Sequence, residues 1–136
     1  APLYTLEILR LAAALEAPSP LPRVDGRAEA RSATCGSSIE AQVMLGADGR
    51  IAALSQRVSA CAFGQASAAL VAQVAPGKSR EEIAAAQEEM AAWLGGRTED
   101  SPWPGFAALA PARTKTGRHG AILLPFRALL AAIDSA

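Results

Sequence analysis

Apolar positions along this chain recur with a helical period, then a strand period, then a helical period again. Tyr4, Ile8, Leu11 and Leu15 fall at the i, i+4, i+7, i+11 spacing of one buried helix face. Pro18, Pro20 and Pro22 stop that helix near Ala17, because each lacks the N–H that a further turn requires. Arg27 to Thr34 is a strand candidate leading to Cys35. Ile39, Ala41, Val43 and Leu45 alternate with Ser38, Glu40, Gln42 and Met44, the two-residue period of a half-buried strand. Asp48-Gly49 supplies a hairpin turn, since glycine reaches positive φ without steric cost. Ile51 to Ser59 reads as the returning strand. Its apolar phase changes between Ala53 and Leu54, which predicts a bulge.

From Cys61 the period becomes helical, with Ala66, Ala69, Leu70 and Val74 on one side and Pro76-Gly77 at the end. Ser79 and Glu82 then form a capping box, the serine as N-cap and the glutamate reaching back from the third helical position. Ile83, Ala86, Met90 and Trp93 make the buried stripe of this helix, and Gly95-Gly96 ends it. Arg97 to Gly105 reads as a loop, Phe106 to Ala110 as a short helical turn, and Thr114 to Gly120 as a polar loop. Ala121 to Asp134 is the last helix, with Pro125 expected in its first turn, where a proline is tolerated. The order predicts an α+β fold: a small antiparallel sheet of about three strands with helices packed on one face.

Composition narrows the field. At 136 residues, 51 % hydrophobic and 19 % charged, the chain fits a single packed domain over 1–136. Thirteen basic side chains balance thirteen acidic ones, so the basic excess that phosphate contacts demand is missing and no nucleic-acid partner is expected. Apolar runs fall short of the roughly 20 residues of a membrane helix, so no membrane role is expected either. Two cysteines are too few for a disulfide framework; with no secretory leader in view, a reducing, cytoplasmic location is the expectation. Oligomeric state is open.

Cys35 precedes the first hairpin strand, Cys61 follows the second, and Asp48 lies midway between them. A hairpin folded there brings both cysteines to one end of the sheet. Cys61 also opens a helix, where free N–H groups favour a thiolate, and Gly36 permits a tight turn beside Cys35. The same pair also reads as two small buried hydrophobes.

The residues that carry chemistry resemble a family. Thr34-Cys35-Gly36-Ser37, the hairpin, Ala60-Cys61 and Ala66-Ser67-Ala68-Ala69-Leu70 look like the core of the IscU/NifU-type iron–sulfur cluster assembly scaffolds. Pro76-Gly77-Lys78-Ser79-Arg80-Glu81-Glu82-Ile83 is similar to that family's Gly-Lys-Ser segment, and Arg118-His119-Gly120 with the helix after it is similar to its His-Cys step. The interval from Cys35 to Cys61 matches too. The resemblance runs from about Arg27 to Ile133, and the long Cys61–His119 separation is like that of the SufU-like branch. It implies an α+β NifU N-terminal-like fold and a scaffold or carrier rather than an enzyme. It also implies Cys35, Cys61 and His119 as metal ligands, zinc, iron or a labile cluster as what they hold, and a cysteine desulfurase and acceptor apo-proteins as partners.

Two positions depart from the family pattern: Gly120 stands in place of a third cysteine, and Ser37 in place of an aspartate. The signatures of the family's first helix and its Leu-Pro-Pro-Val-Lys segment are absent as well. Two sulfurs and an imidazole suit one tetrahedral zinc with an open fourth position. A [2Fe–2S] centre needs four ligands, so here it requires an external one. Two other readings stay open. One is a fold-retaining adaptor or regulator of iron–sulfur assembly without a cluster. The other is a thiol enzyme with Cys61 as nucleophile and His119 as base. Arg113, Lys115 and Arg118 form a basic cluster before the histidine, read either as a docking patch or as a solvated loop. Trp93, Trp103 and Phe106 read as satellite core, and Glu81, Glu82, Glu88 and Glu89 as a charged helix face.

Overall fold

A computed structural model describes residues 4–33 and 36–136. The first helix, α1 (Leu6–Ala13), starts at Thr5, whose hydroxyl accepts the Ile8 N–H at 3.2 Å. Three strands follow, β1 (Gly26–Arg31), β2 (Ser38–Leu45) and β3 (Ile51–Ser59), and they pair antiparallel in that order with β2 in the centre. Helices α2 (Ala62–Val74) and α3 (Arg80–Leu94) come next. Two 3₁₀ segments, Phe106–Thr114 and Thr116–Arg118, then lead into α4 (His119–Asp134). The α+β expectation is met.

Strand alternation decides which side of the sheet is covered. Ile39, Ala41 and Val43 of β2 are buried, and their cross-strand partners on β3 are Val58, Gln56 and Leu54. A bulge is present at Ala52, just before the Ala53–Leu54 phase change that predicted one: Leu45 pairs with Ile51 and Met44 with Ala53. That extra residue lets Ile51 and Leu54, of opposite parity, face the same core. Gln56 is the polar member of this inner face, and its amide donates to the Ala68 carbonyl of α2 at 3.0 Å. On the outer side, Ser55 is covered by the proline-rich linker, where the Ser19 N–H donates to its hydroxyl.

The inner face of β1 is unusually small, with Gly26, Ala28 and Ala30 opposite Val43, Ala41 and Ile39. Helix α4 uses that room. A Cβ at Gly26 would run into the Ala132 carbonyl and would also lie 3.1 Å from the Ser135 hydroxyl. The glycine is needed for close approach, not for its φ. Gly26→Ala is therefore expected to lower stability by about 1–3 kcal/mol, the usual cost of overpacking. A urea titration checks it, and an unchanged midpoint would show that the strand and helix can move apart freely.

The capping box is present as predicted: the Ser79 hydroxyl accepts the Glu82 N–H, and Glu82 returns to the Ser79 N–H. Glu82 does more than line a charged face, because it also pairs with Arg50 at 2.7 Å and so ties α3 to the hairpin turn. Arg80 grips Asp134 through two hydrogen bonds of 2.6 and 3.0 Å. Arg23 does the same to Asp25, whose carboxylate also accepts the Leu45 N–H.

These partners hold three carboxyls below their ordinary range. The causes are Arg23 and the Leu45 N–H for Asp25, the Ser79 N–H and Arg50 for Glu82, and Arg80 for Asp134. A depressed folded-state value means the stabilisation is present above the unfolded carboxyl range, about pH 4, and is lost as pH falls through the folded values. The thermal midpoint should accordingly fall as pH drops below about 4. In the triple variant Asp25→Asn, Glu82→Gln, Asp134→Asn the decline should be shallower. Glu82 and Asp134 are exposed and Asp25 is half-buried, so the effect is modest and screened by salt.

The first helix stops at Ala13, short of the expected Ala17, and the expectations around α4 need correction as well. The polar loop predicted over Thr114 to Gly120 is instead 3₁₀ turn and helix start, because α4 begins at His119. Pro125 consequently sits in the second turn of α4, not the first. Its missing N–H removes the bond to the Ala121 carbonyl. Next to that gap, the buried Ser67 hydroxyl of α2 donates to the Ile122 carbonyl at 2.7 Å. Tyr4 departs in a smaller way: it is partly exposed, with its ring against Phe63 at 5.3 Å.

Candidate metal centre

Three chain junctions meet at one end of the sheet. Ser38, at the start of β2, pairs with Ser59, at the end of β3. Just before β2 the connection from β1 closes on itself, the Ser32 N–H donating to the Ser37 carbonyl at 2.8 Å. Gly36 takes a φ of 71° there, as the sequence suggested. Thr34 and Cys35, the latter the first predicted ligand, lie outside the described residues. The second, Cys61, is the N-cap of α2, a free and half-buried thiol two residues beyond Ser59, and its carbonyl accepts the Gln65 N–H at 2.9 Å.

The third junction is the start of α4. Its first turn lies directly against that of α2: a Cβ built on Gly64 would be 3.4 Å from both the Cβ and the carbonyl oxygen of Ala121. Gly64 lies three residues after Cys61, and Ala121 two after His119, so the opening turns that carry thiol and imidazole are neighbours. Farther along α4, the Arg127 guanidinium reaches the Arg31 carbonyl at the end of β1, 3.4 Å away. The β1–β2 connection, Cys61 and His119 thus belong to the same end of the molecule.

His119 is half-buried and oriented. Its Nε2 lies 2.8 Å from the Ala112 carbonyl oxygen and 3.2 Å from that of Arg113. Carbonyl oxygens only accept, so Nε2–H donates. These backbone partners escaped the sequence reading, since nothing in a side-chain pattern marks a carbonyl. Arg113 is neither docking patch nor solvated cation. Its Nε–H donates to the Trp93 carbonyl at 2.8 Å, its Nη2 to that of Thr98 at 2.9 Å, and its guanidinium lies 5.2 Å over the Trp93 ring. It fastens the turn that holds the histidine. Trp93 and Phe106 are buried and Trp103 packs against the core, as predicted.

Among the described residues no group of three or more His, Cys, Asp and Glu side chains is placed to share a metal ion. The described donors of this corner are two, Cys61 and His119. Gly120, in the first turn of α4, contributes no thiol. Ser37 is buried at 4 % exposure, where its neutral hydroxyl is no substitute for a carboxylate. A thiol and an imidazole are donor types that suit zinc or iron.

No protein-family model matches the chain, and no curated sequence does. Solved structures do. The N-terminal part of a nitrogen-fixing NifU-like protein from Brucella abortus is 30 % identical, with a TM-score of 0.84 over 98 % of this chain and 93 % of that one. The chain belongs to the NifU-like N-terminal family. The same NifU-like fold is shared by an iron–sulfur cluster assembly scaffold protein, so described, of the SUF system of Fervidobacterium islandicum. That protein is 17 % identical, with a TM-score of 0.84 over 96 % of each chain. A hypothetical protein also shares it at 22 % identity, with a TM-score of 0.72 over 95 % of this chain and 97 % of that one.

Proposed function

We propose that this NifU-like chain acts as a scaffold or carrier in iron–sulfur cluster assembly, as a single domain and not as an enzyme. Its cargo is iron, zinc or a labile cluster held by Cys35, Cys61 and His119. The observation that carries the reading is the packing of the first turns of α2 and α4 at Gly64 and Ala121, which makes neighbours of the segments bearing Cys61 and His119. The family resemblance adds Cys35 to that end, along with a cysteine desulfurase as sulfur donor and apo-proteins as acceptors.

Three donors leave a fourth position open, which fits a protein that gives its cargo away. A thiol from a partner or a small molecule completes the set when a [2Fe–2S] cluster is held. Both sulfurs must stay reduced for this, so the proposal sets the protein in a reducing compartment such as the cytosol. Among the described residues no helix is long and apolar enough to cross a membrane.

Anaerobic reconstitution with iron, sulfide and a thiol should produce a visible cluster chromophore that Cys61→Ala and Cys35→Ala each abolish. A colourless, metal-free product from folded protein would sink the reading. It would favour a second one, in which the fold is kept as an adaptor of the assembly system. Gly120 and the buried Ser37 favour that alternative, because two donors of the family pattern are missing.

A further inference from the structure

We propose that His119 offers its Nδ1 atom as the donor at this corner, with the ring held in the Nε2–H form by the carbonyls of Ala112 and Arg113. The ligand half of this statement rests on the metal-binding reading above; the tautomer half stands by itself.

The Ala112 carbonyl takes the Lys115 N–H at 2.9 Å and the imidazole Nε2–H at 2.8 Å, which occupies both of its lone pairs. The Arg113 carbonyl adds a longer contact at 3.2 Å. A ring turned over by half a rotation would set a C–H against both oxygens and forfeit the bond, so orientation and tautomer are fixed together. Nδ1 makes no hydrogen bond among the described residues. In the neutral ring it carries the lone pair.

The turn that supplies these carbonyls is itself held firmly. Ala112 is fully buried, and Arg113 is anchored on the Trp93 and Thr98 carbonyls. A ligand histidine commonly has its other ring nitrogen held in this way, by a backbone carbonyl or a carboxylate that sets the ring direction. A metal arriving at Nδ1 displaces no proton from the neutral ring and needs no rotation of it. Arg113 is thus a positioning residue that acts on His119 through the backbone.

His119 is the one histidine of the chain, so ¹⁵N-histidine labelling of untagged protein gives ring signals that need no assignment. In metal-free protein near pH 8, the neutral ring should show a protonated Nε2 and an unprotonated Nδ1. A protonated Nδ1, or a rapidly exchanging mixture, would overturn the proposal whatever the metal does. One equivalent of zinc should then shift Nδ1 strongly while the Nε2–H is retained. Loss of that proton, or zinc bound with both nitrogens unmoved, would overturn the ligand half while leaving a cysteine-based site standing. No zinc bound at all would overturn the ligand half through failure of the reading beneath it, whereas zinc bound with both ring nitrogens unmoved would be a failure of His119 alone. Arg113→Ala should raise the exchange rate of the Nε2–H several-fold; an unchanged rate would remove Arg113 from the role.

Discussion

Phe126→Ala is expected to cost about 3–5 kcal/mol, the range for deleting a fully buried aromatic ring. That is a large part of the 5–15 kcal/mol that keeps a typical domain folded. Phe126 is fully buried on α4, and its ring meets Trp103 at 5.3 Å and Phe106 at 5.7 Å. These two belong to the stretch between α3 and α4, which has no strand or long helix to hold it. Aromatic packing therefore does for this stretch what a hydrogen-bonded ladder does for β2. Chemical denaturation measures the effect, with Leu6→Ala as the comparison. Leu6 is 62 % exposed, so its truncation should stay within about 0.5 kcal/mol. Equal losses at the two positions would mean the aromatic cluster is not structural. The consequence reaches the site as well, because the 3₁₀ segment beginning at Phe106 carries the Ala112 and Arg113 carbonyls. Protein that survives the substitution should hold His119 less firmly.

How far the sequence discloses this molecule depends on where the decisive interactions lie. The hairpin, its bulge and the capping box are local. Their signals sit within a few residues of one another, so alternation around Asp48-Gly49 and the Ser79–Glu82 spacing sufficed to read them. The buried stripe of α3 was legible for the same reason. The start of α4 was not. Nothing near Thr116-Gly117-Arg118 announces a helix, and α4 extends back to His119 through contacts with α2 and the 3₁₀ turn, which are distant in sequence or made by backbone. Pro125 misled for a related reason. A proline normally marks a first turn, but here tertiary packing and the Ser67 hydroxyl support a helix that runs through it.

The candidate site divides the same way. Cys61 as the opening residue of α2 could be read from the end of β3 and the helical period that follows. That His119 starts a helix beside it could not, since Gly64 and Ala121 are far apart in the chain and their closeness is a property of the folded core. The role of Arg113 was inverted for a similar reason. A cation in a polar stretch reads as solvated until its carbonyl partners on Trp93 and Thr98 are known.

Zinc affinity should respond to the two described donors in a pattern that ordinary destabilisation cannot copy. Removing an outer partner of a metal ligand costs roughly 10–100-fold in affinity, so loss of a ligand itself should cost more. Cys61→Ala and His119→Ala are each expected to exceed that range in a chelator competition, while Glu89→Ala, on the exposed face of α3, leaves affinity unchanged. The double variant is the sharper test. Two side chains that hold one ion cannot be lost independently, because the second substitution acts on a site already emptied by the first. The combined loss should therefore fall well short of the product of the single losses. Two side chains that bind separate ions, or that merely support the fold from different places, give losses that multiply. Full multiplication would separate Cys61 from His119 and leave the packed first turns of α2 and α4 without a shared task.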